Sequence, residues 1–231
     1  MNDHRRHSAE NGSHAMGMGT SGKDDPVRTA PRLYLVTPPV GDPDAVASDL
    51  ADALNATDIA AVLLRLADGD DATLLERIKA LRILIQSNGA ALLLDGHSEL
   101  VTRADVDGAH LAGIDAFLAA VPSLKPARIA GCGGLNSRHD AMLAGESGAD
   151  YVLFGEPGAD GRKPAFEAVI ERVEWWAETL TIPCVACAAD LGEGEALARA
   201  GADFVAVGEN IWRDVRAVKK AANLGMAEPV R

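Results

Sequence analysis

The segment GADYVLFGEP, residues 148–157, and the related segment GADFVAVGEN, residues 201–210, each place Gly-Ala-Asp directly before a short apolar run. Both runs have the length and composition of buried parallel strands. Outward from them, apolar runs alternate with segments of helical length along the chain. The predicted strands are residues 33–37, 59–64, 90–94, 108–111, 128–131, 151–154, 184–188 and 204–207. The predicted helices are residues 43–54, 72–87, 98–104, 115–120, 136–145, 164–179, 194–200 and 211–222.

This alternation decides the fold class. Eight strands, each followed by a helix after a short connection, predict an α/β protein whose parallel sheet is covered by helices. At 231 residues a single closed (β/α)₈ TIM barrel fits better than an open doubly wound sheet. We place the barrel at residues 31–224. Residues 1–30 are polar without apolar periodicity and are predicted to be a disordered tail, and residues 225–231 a C-terminal tail.

Composition narrows the function classes. The chain is 24% charged and 48% hydrophobic, which is enough to bury a sizeable core. Its net charge of -12 argues against nucleic-acid binding, which usually requires a basic surface. The apolar runs are far shorter than the roughly 20 residues needed to cross a bilayer, and the N-terminus begins with polar and charged residues. We therefore expect a cytoplasmic protein that binds neither membrane nor nucleic acid.

Two features resemble metal or catalytic motifs but have simpler explanations. Cys184 and Cys187 form a CxxC within a predicted strand, where residues three apart point to opposite faces. We interpret both as small buried hydrophobic residues. His110 lies inside the fourth predicted strand and is interpreted as a packed core histidine with its hydrogen bonds satisfied.

In a TIM barrel the functional site forms at the carboxyl ends of the strands. Asp95 follows the third predicted strand and Asp115 follows the fourth, so their loops are neighbours. Two such carboxylates suit Mg²⁺, which takes a few protein oxygens and the rest from phosphate and water. The alternative for each residue is a helix cap or a solvated turn. Thr37, after the first strand, is a further candidate for contact with substrate.

At these positions the chain resembles thiamine phosphate synthase. The resemblance covers roughly residues 33–212 and is strongest between residues 108 and 157. The matching segments are LYLVT at 33–37, VLLR at 62–65, Asp95 after its strand, GAHLAGID at 108–115 and GADYVLFGEP at 148–157.

The resemblance implies a transferase that joins an aminopyrimidine diphosphate to a thiazole phosphate and releases pyrophosphate. It implies Mg²⁺ on Asp95 and Asp115, with Arg65 and Lys163 on the diphosphate as the catalytic pair. The simpler alternatives are that Arg65 pairs with Asp68 or Asp70, and that Lys163 is solvated. The expected substrate-binding residues are Thr37, Arg65, Gly134, Asn136, Lys163, Ala188, Ala189 and Gly208.

The chain departs from the family pattern most at the thiazole-phosphate site. A Gly-Gly turn of the family aligns with Ala188, Ala189 and Asp190, and the small residues after the eighth strand align with a segment containing Glu209. Asp190 and Glu209 are therefore expected to place negative charge where a phosphate should bind. Other departures from the family's polar residues are Leu63, Ala67, Leu94, Gly96, Gly134, Asn136, Asp160 and Arg162.

Three functions remain open at this level. The first is an active thiamine phosphate synthase. The second is a catalytically degraded relative that acts as a ligand-binding or regulatory barrel. The third is a thiazole tautomerase on the same scaffold, which is disfavoured because the histidine it needs aligns with Asn136. Trp175 and Trp176 are interpreted as helix packing, and an exposed one would mark a contact in a homodimer.

Overall fold

The structure, a computed structural model, describes residues 30–135, 137–158 and 161–224. Its eight parallel strands pair in sequence order, and the last pairs with the first, so the sheet closes into a barrel. The predicted (β/α)₈ barrel is therefore confirmed. The strands are β1 Arg32–Val36, β2 Ile59–Leu64, β3 Ala91–Asp95, β4 Gly108–Ala112, β5 Ile129–Gly133, β6 Tyr151–Phe154, β7 Cys184–Ala188 and β8 Phe204–Val207.

Helices surround the barrel. They are α1 Asp44–Ala56, α2 Asp71–Ser87, α3 Val101–Ala104, which follows a 3₁₀ turn at Ser98–Leu100, α4 Ile114–Leu124, α5 Arg138–Glu146, α6 Phe166–Thr179, α7 Leu191–Ala200, α8 Glu209–Trp212 and α9 Val215–Ala221. The predicted tails, residues 1–30 and 225–231, lie outside the described residues except for residue 30. Within the described ranges, no helix is both long and apolar enough to cross a membrane.

Successive strand residues fill two separate cores because side chains alternate between the faces of a sheet. Tyr34, Leu63, Leu93 and Tyr151 belong to the core inside the barrel. The residues between them pack outward against the helices and form a larger core. This explains why the strands read as nearly continuous apolar runs in the sequence.

The CxxC segment follows the same alternation. Cys184 is fully buried in the outer core, whereas Cys187 contacts the core inside the barrel. Neither cysteine forms a disulfide. The prediction that the two cysteines lie on opposite faces of β7 is confirmed; Cys184 is buried as expected, and Cys187 is only partly buried.

Helix ends differ from the predictions where capping side chains decide them. The helix predicted from residue 136 begins at Arg138, because the Ser137 hydroxyl accepts the Asp140 N–H at 3.1 Å. The helix predicted from residue 194 begins three residues earlier, after Asp190. The last predicted helix, 211–222, is two helices, and Asp214 caps the second by accepting the Arg216 N–H at 2.9 Å.

The tryptophans lie in helices that pack on the barrel. Trp176 is fully buried, and Trp175 is half-buried. The guanidinium carbon of Arg138 lies over the Trp175 ring, 4.8 Å from the ring centre. Trp212 is also fully buried, and its indole N–H donates to the Val36 carbonyl at 2.8 Å. This last bond fixes the short helix α8 against the carboxyl end of β1, at the edge of the candidate site.

Candidate active site

Three predicted residues form one connected group at the carboxyl ends of β1 to β3. The Thr37 hydroxyl, which is buried, accepts the backbone N–H of Arg65 at 3.0 Å. The Arg65 Nε donates to Asp95 Oδ2 at 3.1 Å, with side chains 46% and 33% exposed. Both charged groups are thus held in place yet open to solvent. Arg65 pairs with Asp95, not with Asp68 or Asp70.

The alternative reading of Asp95 and Asp115 as helix caps is wrong. The residue before the 3₁₀ turn is His97, and neither it nor Asp95 caps that turn by its side chain. Asp115 lies in the first turn of α4, whose cap is Gly113. Asp115 is exposed at that positive helix end. Over the described part of the chain, no cluster of three or more His, Cys, Asp or Glu side chains could hold a metal by itself.

A column of hydrogen-bonded side chains rises through the barrel interior to the same edge. The Tyr34 and Tyr151 hydroxyls lie 2.8 Å apart, and Tyr151 also bonds His110 Nδ1 at 3.1 Å. His110 Nε2 contacts Glu156 Oε1 at 2.9 Å. His110 is fully buried, as predicted for a satisfied core histidine, while 19% of the Glu156 side chain is exposed.

The environment favours an ion pair between His110 and Glu156. Burial lowers the pKa of His110, but the charge and hydrogen bond of Glu156, with help from Asp95, raise it above its ordinary value. Burial raises the pKa of Glu156, but His110, the N–H of Gly134 and the charge of Arg65 together lower it. Opposite charges within hydrogen-bond distance favour both charged forms.

Sequence reasoning did not single out Glu156, Tyr34 or Tyr151. A signal for Glu156 was available, because it follows β6 by two positions and acidic residues at strand carboxyl ends are site candidates in a barrel. The two tyrosines gave no such signal. They read as ordinary apolar strand residues, and only barrel closure brings them within reach of each other.

Of the residues expected in the loops after β5 and β6, Gly134 and Lys163 are described and Asn136 is not. The Gly134 N–H donates to Glu156 Oε2 at 2.8 Å, so this donor is already engaged within the chain. Lys163 is exposed. It lies near enough to Cys187 to oppose the rise in the pKa of that thiol, which burial and Glu156 cause.

The backbone donors after β7 are occupied by the chain's own carboxylates. The Ala189 N–H donates to Glu193 Oε2 at 2.6 Å, and the Glu193 N–H donates to Asp190 Oδ1 at 2.9 Å. Ala188 is buried at the strand end. Asp190 therefore acts as a helix cap, and Glu193, which sequence reasoning missed, places a carboxylate on a donor that a phosphate would need.

The loop after β8 is tied to the same region. Gly208 precedes α8, and the Asn210 side-chain amide donates to the Ala189 carbonyl at 2.8 Å. Glu209 Oε2 lies 3.4 Å from Arg213 Nη2, and Arg213 Nε lies 3.5 Å from Asp49 Oδ2. Part of the negative charge predicted here is therefore balanced by Arg213.

Comparison with known proteins identifies the family of this chain. The model of the family described as thiamine monophosphate synthase matches residues 33–211. The chain is 41% identical over 189 residues to a thiamine-phosphate synthase of Rhodospirillum centenum, covering 78% of this chain and 89% of that protein. It is 35% identical over 193 residues to one of Hyphomonas neptunium, covering 80% and 87%.

The fold comparison agrees. A solved structure of thiamine phosphate pyrophosphorylase from Pyrococcus furiosus superimposes with a TM-score of 0.68 at 21% identity, covering 84% of this chain and 94% of that one. At this identity the similarity supports the shared barrel only. The family model and the sequence relatives carry the assignment, and the chain belongs to the thiamine monophosphate synthase family.

Proposed function

We propose that this protein joins an aminopyrimidine diphosphate to a thiazole phosphate, forming thiamine phosphate and pyrophosphate. The observation that carries the proposal is the connected group Thr37, Arg65 and Asp95 at the open edge of the barrel, in a chain of this family. A cation and a carboxylate held side by side suit a substrate whose leaving group is a metal-bound diphosphate.

Asp95 and Asp115 are the proposed Mg²⁺ ligands. Both are hard oxygen donors and both are solvent-accessible; Asp95 ends β3, and Asp115 lies three residues after the neighbouring strand β4. Two protein carboxylates suffice for Mg²⁺ when phosphate and water supply the other ligands. When bound, the ion would neutralise charge on the departing diphosphate.

The remaining predicted residues take supporting roles. Arg65 is proposed to bind diphosphate oxygens, with Thr37 fixing its backbone. Lys163, exposed near Cys187, is proposed to bind the same group as a point charge. The residues proposed to surround the organic parts and the second phosphate are Gly134, Asn136, Ala188, Ala189 and Gly208.

The test is product formation. Purified protein with both substrates and Mg²⁺ should release pyrophosphate and form thiamine phosphate, and Asp95→Ala and Asp115→Ala should each lower kcat/KM by about 10³-fold or more. Asp52→Ala, an exposed aspartate on α1, is the matched control and should leave the rate unchanged. A folded wild-type protein that gives no product with millimolar substrates would refute the proposal and support a binding barrel.

The proposal also includes the substrate class, the cellular compartment and the assembly. The substrates are small phosphorylated molecules, and the reaction is proposed to take place in the cytoplasm. The homodimer stays a prediction. Light scattering on the purified protein measures the assembly directly.

A further inference from the structure

The His110–Glu156 pair occupies a place that packing alone does not explain. His110 is fully buried, and only 19% of the Glu156 side chain is exposed. Burial deprives charged groups of their hydration in water, and an apolar pair of similar volume is often as stable. A purely structural role would therefore be filled as well by apolar residues.

Each carboxylate oxygen of Glu156 bonds a residue from a different part of the barrel. Oε1 accepts from His110 on β4 at 2.9 Å, and Oε2 accepts from the Gly134 N–H, just after β5, at 2.8 Å. Glu156 itself follows β6. One side chain thus links β4 to the segments that directly follow β5 and β6, on the face where the site lies.

The backbone is shaped to receive this carboxylate. A Cβ on Gly133 would lie 1.9 Å from Glu156 Oε2 and 2.6 Å from His110 Nε2, so only glycine leaves room for the pair. The Gly134 backbone has a φ of 60°, a left-handed conformation that favours glycine. The Gly133–Gly134 turn thus leaves the space that the pair occupies.

The same histidine also borders the proposed metal carboxylate. His110 is the register partner of Asp95, and the Gly96 N–H donates to the His110 carbonyl at 2.8 Å. A displacement of His110 would therefore shift both the end of β3 and the turn after β5. These segments carry Asp95 and Gly134, two of the predicted site residues.

We propose that Glu156 and His110 are positioning residues that hold the Gly133–Gly134 turn and the Asp95 loop in the geometry required for catalysis. The kinetic part of this inference rests on the proposed function. The structural part does not, because the contacts exist in the free protein.

Substitutions at Glu156 distinguish the effect of its hydrogen bonds from the effect of its negative charge. In Glu156→Gln the amide oxygen accepts from Gly134 and the amide nitrogen donates to neutral His110, whose other ring N–H then faces the Tyr151 hydroxyl. The turn is kept and the charge is lost. Glu156→Ala removes both contacts. Glu167→Ala, an exposed glutamate on α6, is the matched control.

The first measurement is hydrogen exchange of the Gly134 amide in the free protein, followed by NMR on glycine-labelled samples. Exchange should accelerate about tenfold or more in Glu156→Ala and less than about threefold in Glu156→Gln and Glu167→Ala. Unchanged exchange in a folded Glu156→Ala protein would overturn the proposal. This result is readable even if the wild-type protein forms no thiamine phosphate.

The second measurement is the separation of kcat from KM at a temperature where all variants are folded. Glu156→Ala should lose about tenfold or more in kcat, and Glu156→Gln should recover most of it. His110→Gln, which removes the ring from the other side, should match the alanine variant. If kcat in Glu156→Ala equals that of wild type, the pair is structural and the inference fails. If wild type itself is inactive, the proposed function fails and the exchange data alone decide this inference.

Discussion

Gly133→Ala is the most informative single substitution in the described structure. The added methyl would lie 1.9 Å from Glu156 Oε2, whereas ordinary contact begins at 3.4 Å, so the carboxylate must move by about 1.5 Å. That movement breaks the bonds to His110 and to the Gly134 N–H. A hydrogen bond to a charged group contributes about 1.5–3 kcal/mol, so with partial relaxation we expect a loss of about 2–4 kcal/mol.

The assay is thermal and urea unfolding of the purified protein. For a chain of this size the expected loss corresponds to a fall in Tm of about 4–16 °C. Gly41→Ala is the control, because its added methyl would meet only Ala67 Cβ at 3.7 Å and should change Tm by less than about 2 °C. In a Glu156→Ala background the cost of Gly133→Ala should fall by at least about half. A Gly133→Ala protein as stable as wild type would show that the turn is not built around this carboxylate.

Three further predictions each test one contact of the structure. Glu193→Gln removes a negative charge from the Ala189 N–H while keeping an acceptor, and should tighten binding of inorganic phosphate about tenfold by calorimetry; unchanged binding would mean that phosphate does not bind at this loop. Trp212→Phe loses the bond to the Val36 carbonyl and should cost about 1 kcal/mol in urea unfolding, whereas an unchanged midpoint would contradict that role. The Tm difference between wild type and Glu156→Gln should be largest between pH 4.5 and 6.5. The raised pKa of His110 gives stability that is complete below 6.5 and lost as pH rises through the folded value, and the lowered pKa of Glu156 gives stability that is complete above 4.5 and lost as pH falls through the folded value. A difference independent of pH would show that the pair is uncharged.

The strands were predictable because each one is a short apolar run with polar boundaries. Strands β2, β6, β7 and β8 begin and end where the sequence places them, and the others differ by one or two residues. Helix ends were less predictable because several residues near each start compete as caps. Ser137 wins at α5 and Asp190 at α7, and the choice depends on which side chain reaches a free N–H in the folded backbone.

The residues of the candidate site were likewise predictable only in part. Asp95 and Asp115 were predicted because polar residues after apolar strands are conspicuous, and Arg65 was predicted from the family resemblance; their roles stay predictions. The carboxylates that occupy backbone donors were not all found. Glu193 lies inside a predicted loop and looks like any other acidic surface residue until the helix places it against Ala189.

The sequence by itself determined the barrel, its strand order and the family, because these depend on local apolar runs and on motifs read along the chain. Only the tertiary structure decided which side chains of the site bond to each other. The column from Tyr34 through Tyr151 and His110 to Glu156 joins residues up to 117 positions apart, as in the bond between the two tyrosine hydroxyls. Such contacts arise from closure of the sheet, which brings distant strand ends to one mouth, and no local pattern encodes those distances.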